Sequence, residues 1–203
     1  MKITINAHSS IRIESDKVMY FDPFKISEET HDADIIFVTH DHYDHFSIED
    51  IKKIEKEDTV YVIPDCMYNM LGGENVITVN PNETFEVEGY EAKAVCSYNR
   101  EKKFHTKAKN YVGYIVNIEG KNVYVFGDGD INDDVKDLKC DIALFPVGGH
   151  YTMDAKEAAE LVNYMKPELA IPTHYGDLVG DMSAGETFKE NVSEDIKVEL
   201  LIK

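Results

Sequence analysis

The segment Thr39-His40-Asp41-His42-Tyr43-Asp44-His45 places three imidazoles and two carboxylates in the six positions from His40 to His45. Imidazole nitrogen and carboxylate oxygen are the donors that suit Zn²⁺, Mn²⁺ and Fe²⁺. In extended backbone, His40 and His42 project to the same side and can clasp one metal. Asp44 and His45 lie where the chain turns into a helix and can reach a second. A polar loop whose only task is to cap that helix at Ser47 has no need of three histidines, so the cluster reads as a metal site.

The elements that must hold it follow from periodicity. Residues 2–6, 11–14 and 18–21 alternate apolar and polar side chains, the pattern of half-buried strands. Residues 35–38, Ile-Ile-Phe-Val, are apolar throughout, as in a strand buried on both faces, and the histidine cluster follows at once. Ser47, with Asp50 three residues on, resembles a capping box, and Ile48, Ile51 and Ile54 give the helix one buried stripe. Further strands are expected at residues 59–63, 76–79, 84–87, 91–95, 111–118 and 122–126, with hairpin turns at Gly89 and Gly120. The last third alternates strand and helix: strands at 141–145, 169–171 and 197–202, helices at 154–165 and near 184–191. With no internal repeat and no Pro/Gly-rich linker, residues 1–203 read as one domain.

HxHxDH after a buried strand resembles the signature of the metallo-β-lactamase superfamily of binuclear metal hydrolases. Other segments agree in order: Phe21-Asp22-Pro23-Phe24, Gly127-Asp128 after a strand, and Pro172-Thr173-His174-Tyr175-Gly176 after another. His8-Ser9-Ser10 and the run from Pro146-Val147-Gly148-Gly149 to Met153-Asp154 are similar to the branch that includes L-ascorbate-6-phosphate lactonase. The resemblance implies an α/β fold, a four-layer αββα sandwich with its site at the sheet edge. It implies two divalent metals, Zn first and Mn or Fe as alternatives, sharing a hydroxide that attacks an ester, lactone or phosphoester. His40, His42 and His105 would bind one ion, Asp44, His45 and His174 the other, and Asp128 would bridge. Asp44 would be central to catalysis, and His150 would protonate the leaving group.

The sequence departs from that pattern at one point. The strand at 91–95 runs into Cys96-Ser97-Tyr98-Asn99, where the superfamily usually supplies a metal histidine. Either His105 folds back to complete the first ion's shell, or it is an exposed loop residue and water or Asn99 fills the place. His8 is either a group standing behind the metals or an ordinary structural donor. Asp22 reads as an orienting carboxylate. Asp130 reads as a turn residue or a support to the metals, Asp154 as a helix cap, and His31 as solvated.

Composition narrows the partners. The 21 Lys plus Arg against 39 Asp plus Glu give a formal charge of −18, which opposes nucleic acid and anionic membranes. The run from Asn99 to Asn110 is an exception, with five bases and one acid. If that loop lies beside the metals it would draw in an anionic small molecule. Three widely spaced cysteines without a CxxC pair, and an N-terminus without an apolar leader, point to a cytoplasmic protein. The rival functions are a non-enzymatic metal-binding or interaction protein with a degenerate site, a nuclease-type phosphodiesterase, and a di-iron redox protein. Oligomeric state is not legible in the sequence.

Overall fold

In a computed structural model that describes every residue from Met1 to Lys203, the alternating segments assemble into two sheets. The first has β1 (Lys2–Ala7), β2 (Ser10–Glu14), β3 (Val18–Phe21), β4 (Ile35–Phe37), β5 (Val60–Pro64) and β6 (Val76–Val79) in that spatial order. It is antiparallel from β1 to β3 and parallel from β3 to β6. The second has β7 (Thr84–Val87), β8 (Tyr90–Cys96), β9 (Val112–Ile118), β10 (Lys121–Val125), β11 (Ile142–Pro146), β12 (Leu169–Thr173) and β13 (Lys197–Val198), again in chain order. It is antiparallel as far as β10 and parallel beyond. Three α-helices complete the chain: α1 (Ile48–Ile54), α2 (Ala155–Met165) and α3 (Ser183–Asn191).

The strand period of two sorts side chains into layers. In β4, Ile35 and Phe37 enter the core between the sheets, while Ile36 and the following Val38 pack outward with Ile51 and Ile54 of α1. In β10, Val123 and Val125 face the inter-sheet core, and Tyr124 turns to the opposite layer with Leu161 and Val162 of α2 and Phe188 of α3. The continuous apolar run at β4 therefore does what it predicts, serving two cores at once. The result is the expected αββα sandwich, with one helix outside the first sheet and two outside the second.

Local signals explain the element ends. Glu88-Gly89 and Glu119-Gly120 all have positive φ, the requirement of the two-residue turns that close β7–β8 and β9–β10. Asp154 caps α2 in a full capping box with Glu157. At α1 the box is only half formed. Ser47 accepts from the Asp50 amide, but the Asp50 carboxylate accepts from the amides of Lys25 and Ile26 and ties down the loop before β4. The strand expected at 197–202 pairs with β12 only through Lys197 and Val198; Leu201 then leaves the edge to pack on the inter-sheet core.

Hydrogen bonds join the two sheets at the site end, among them the Val112 amide to the Thr39 carbonyl at 3.2 Å and the His174 amide to the His8 carbonyl at 3.0 Å. The buried Tyr114 hydroxyl of β9 donates to the carbonyl of Val38, just past β4, at 2.8 Å. Tyr114→Phe removes that donor from a buried acceptor and is expected to lower unfolding stability by about 1–3 kcal/mol. Chemical denaturation of the purified variant measures it, and an unchanged midpoint would rule out this bond as a coupling between the sheets.

Candidate metal centre

Strand direction decides where the polar side chains meet. β1, β3 and β4 run the same way in one sheet, as do β8, β10 and β12 in the other. His8 follows β1, Asp22 follows β3, His40 to His45 follow β4, His105 follows β8, Asp128 follows β10 and His174 follows β12. All lie beyond the C-terminal ends of these strands, where α/β sheets place ligands. Six of the chain's eight histidines gather there. His8, Asp22, His105 and His174 take left-handed backbone, with φ from 47° to 58°. That conformation is uncommon for residues other than glycine and is a form of strain that clusters at functional sites.

The donors form two nests. In the first, His40 Nε2 and His105 Nε2 each lie 3.1 Å from His42 Nδ1. One imidazole nitrogen cannot share hydrogens satisfactorily with two others. Around a tetrahedral Zn²⁺ with bonds of about 2.0–2.1 Å, however, donors sit about 3.3–3.4 Å apart, close to this spacing. In the second, Asp44, His45 and His174 converge with His8 so that their donor atoms lie within 4.8 Å of one another. Asp128 stands between the nests. Its Oδ2 is 3.0 Å from His174 Nε2 and 3.5 Å from His105 Nε2, and its Oδ1 is 3.4 Å from His45 Nε2.

Several of these atoms are buried without a hydrogen-bond partner: both ring nitrogens of His8 and His174, His45 Nε2 and Asp128 Oδ1. Orphaned donors and acceptors at such density are costly unless something else satisfies them. Divalent metal ions fit this set in donor type, number and spacing.

The orientation of the rings traces to one buried carboxylate. Asp22 accepts from the Thr39 amide, the Thr39 hydroxyl and His45 Nδ1, each at 2.7 Å. The Thr39 hydroxyl has one proton, given to Asp22, so at 2.9 Å from His40 Nδ1 it can only accept. His40 and His45 therefore both carry a hydrogen on Nδ1 and turn Nε2 toward the nests, the arrangement that fixes ligand tautomers in metal sites.

Charge follows the same geometry. Burial lowers the His40 pKa well below the ordinary value and brings His105 down to about 4, so both imidazoles are neutral and able to donate lone pairs. Burial would raise Asp128 and Asp44. The neighbouring imidazoles outweigh it, holding Asp128 well below the carboxylate range and Asp44 at about 2. Burial would also lower His45, but Asp128 and Asp22 prevail and raise it.

The nests open onto a cleft of about 470 Å³ lined by Asp41, His42, Tyr43, Asp44, Phe104, His105, Asp128, Tyr151, His174, Leu178 and Val179. His40, His42, Asp44, His45, His105, Asp128 and His174 are brought together as the sequence led us to expect. His105 is buried rather than an exposed loop residue. Asn99 places it: its backbone amide donates to the His105 carbonyl at 2.8 Å, and its side-chain amide donates to the carbonyls of Phe104 at 2.9 Å and Tyr151 at 2.7 Å. His150 is exposed and stands outside the cleft, its ring 4.5 Å from that of Tyr151, which lines the cleft in its place. His8, open in the sequence, is fully buried with Nε2 3.2 Å from Asp44 Oδ2. The signal for it was its position directly after a strand end, shared by the other donors. The basic loop turns its lysines away. Lys102 pairs with Asp130 and Lys107 with Asp134, and no lysine lines the cleft.

Comparison with known proteins fits this geometry. Residues 2–174 match the family described as "Beta-lactamase superfamily domain". A UPF0173 metal-dependent hydrolase of Thermoplasma volcanium is 34% identical over 189 residues, covering 86% of this chain and 83% of that protein. Another, from Pyrococcus abyssi, is 31% identical over 217 residues and covers 99% of this chain and 96% of its own. A crystal structure from Parabacteroides distasonis superposes with a TM-score of 0.85 at 29% identity, covering 99% of this chain and 93% of that one. Igni18, a metallo hydrolase of Ignicoccus hospitalis, shares the fold with a TM-score of 0.80 at 22% identity, covering 98% and 94%. The chain belongs to the metallo-β-lactamase superfamily. Within it, the chain falls among metal-dependent hydrolases.

Asp22→Asn keeps the size of the side chain but removes the charge that orders Thr39, His40 and His45. Divalent-metal affinity is expected to fall about 10–100-fold, the usual cost of losing a group that orients a ligand. Competition with a chromogenic chelator reads it; unchanged affinity in a folded variant would show that Asp22 does not orient the donors.

Proposed function

We propose that this protein hydrolyses a small-molecule ester, lactone or phosphoester with two divalent cations held side by side. His40, His42 and His105 hold one cation, Asp44, His45 and His174 the other, and Asp128 bridges them. The observation that carries this reading is the convergence of imidazole nitrogens and carboxylate oxygens from five strand ends on two nests joined by one carboxylate, several of those atoms buried without a hydrogen-bond partner. Nitrogen-rich nests favour Zn²⁺, with Mn²⁺ or Fe²⁺ as alternatives. When bound, such cations lower the pKa of water to about 7 and polarise the oxygen under attack.

The chain's own part is placement. Asp44 lies on the cleft and its carboxyl is held at about 2, so it is ionised and can orient an attacking water by accepting a hydrogen bond from it. His8 stands behind Asp44 on the buried side, its Nε2 3.2 Å from Asp44 Oδ2. Val179, Leu178 and Phe104 give the cleft an apolar lining beside the donors. His150 was expected to protonate the leaving group; from outside the cleft it is assigned no step. Both sheets contribute donors to the one site, which supports reading residues 1–203 as a single domain. Three free cysteines suit a cytoplasmic setting, and no helix is long and apolar enough to cross a membrane.

The burial of His105 beside His40 and His42 favours catalysis over a degenerate site, because it supplies the nitrogen missing after β8. The cleft's lack of lysine and arginine speaks against a nuclease. The branch that includes L-ascorbate-6-phosphate lactonase supplies test compounds: lactones, phosphodiesters and phosphomonoesters, each tried with Zn²⁺, Mn²⁺ and Fe²⁺. His42→Ala and Asp128→Asn are expected to abolish whatever hydrolysis that screen finds while circular dichroism stays native. Turnover retained in either folded variant would contradict the proposal.

A further inference from the structure

Beyond the metal nests, the character of the cleft changes. Its outer walls are Tyr43, Phe104, Tyr151, Leu178 and Val179. They come from four loops, those after β4, β8, β11 and β12, so apolar side chains approach the metal donors from several sides. Tyr43 is 67% exposed, Phe104 46% and Leu178 40%, and these three are a third of the nine large hydrophobic side chains that the molecule leaves in water. Apolar surface gathered around one concave site marks a place where ligand is received.

The aromatic wall is fixed before anything binds. Phe104 and Tyr151 meet edge to face, ring centroids 4.8 Å apart at 87°. The single amide of Asn99 holds both of their carbonyls. A ligand ring entering between this wall and Leu178 meets surface that needs little ordering, which is the condition for apolar contact to give affinity.

The charges near the cleft point the same way. Lys102 is engaged by Asp130 and by the Thr152 carbonyl, Lys107 by Asp134, and Lys109 lies over the Tyr111 ring, 6.0 Å from its centroid. None of them lines the cleft. The one charged side chain there outside the nests is Asp41, an acid that accepts from the Tyr111 hydroxyl. A carboxylate or phosphate projecting away from the metals would meet no cation and one like charge.

We propose that the part of the substrate projecting away from the metals is uncharged and apolar, an aryl ring or a group of similar size, seated between Phe104–Tyr151 and Leu178. This rests on the hydrolytic reading of the same cleft and replaces the anionic substrate expected from the basic loop.

A matched pair of metal-binding probes tests it on the zinc-loaded protein. Phenylacetohydroxamic acid and the monohydroxamic acid of malonic acid share the same chelating head, and differ in carrying a phenyl ring or a carboxylate. Isothermal titration is expected to show the phenyl compound binding at least about tenfold more tightly, equal to about 1.4 kcal/mol. Phe104→Ser and Leu178→Ser, both at exposed positions, should each weaken the phenyl compound several-fold. Zinc content and the affinity of the malonic compound should stay as they were. Equal or tighter binding of the malonic compound overturns the inference while leaving the metal site intact, as does phenyl affinity unchanged in both zinc-loaded variants. A protein that takes up none of Zn²⁺, Mn²⁺ and Fe²⁺ overturns the hydrolytic reading and the inference with it.

Discussion

The carboxylate of Asp22 is the group on which the site's geometry depends. A buried ionised carboxylate is costly unless it is fully hydrogen-bonded. Asp22 has three donors at 2.7 Å, two from Thr39 and one from His45. Those bonds require β3 and β4 to lie side by side, as their parallel pairing ensures. In return the carboxylate fixes the His45 ring directly and the His40 ring through the Thr39 hydroxyl, so one charge sets a tautomer in each nest. The strand pair satisfies the acid, and the acid aims the imidazole donors.

The rest of the frame supplies convergence. No single segment could bring six imidazoles and two carboxylates together, because a strand places neighbouring side chains on opposite faces. Two sheets packed face to face solve this by ending like-directed strands at one edge. The core behind them is dense and apolar, with Phe21, Phe37 and Tyr114 fully buried just beneath the site. Left-handed backbone at His8, Asp22, His105 and His174 lets the chain swing side chains back across the strand ends. The strain is local, and cooperative packing on either side holds it in place.

Much of this is legible in the sequence. The HDHYDH run, the doubly buried strand before it, the Glu-Gly turns and the Asp154 cap are local patterns, and local patterns survive folding. What was illegible depends on partners distant in sequence. Whether His105 is loop or ligand turns on Asn99, whose amide reaches both Phe104 and Tyr151 across the fold. The basic run from Asn99 to Asn110 suggested an anion site, but Asp130 and Asp134 occupy two of its lysines. His150 and Tyr151 are one residue apart, and only the loop's path decides which of them lines the cleft. The net charge of −18 remains a sound argument about macromolecular partners. It says little about a cleft whose outer walls are aromatic and aliphatic.

The central claim is that two adjacent nests, sharing Asp128, each hold a divalent cation. Anomalous X-ray diffraction from crystals of the zinc-loaded protein, collected on either side of the zinc absorption edge, measures this directly. Two anomalous peaks are expected, one within bonding distance of His40 Nε2, His42 Nδ1 and His105 Nε2, the other within bonding distance of Asp44, His45 and His174, with Asp128 touching both. A single peak, or peaks away from these side chains, would contradict the account.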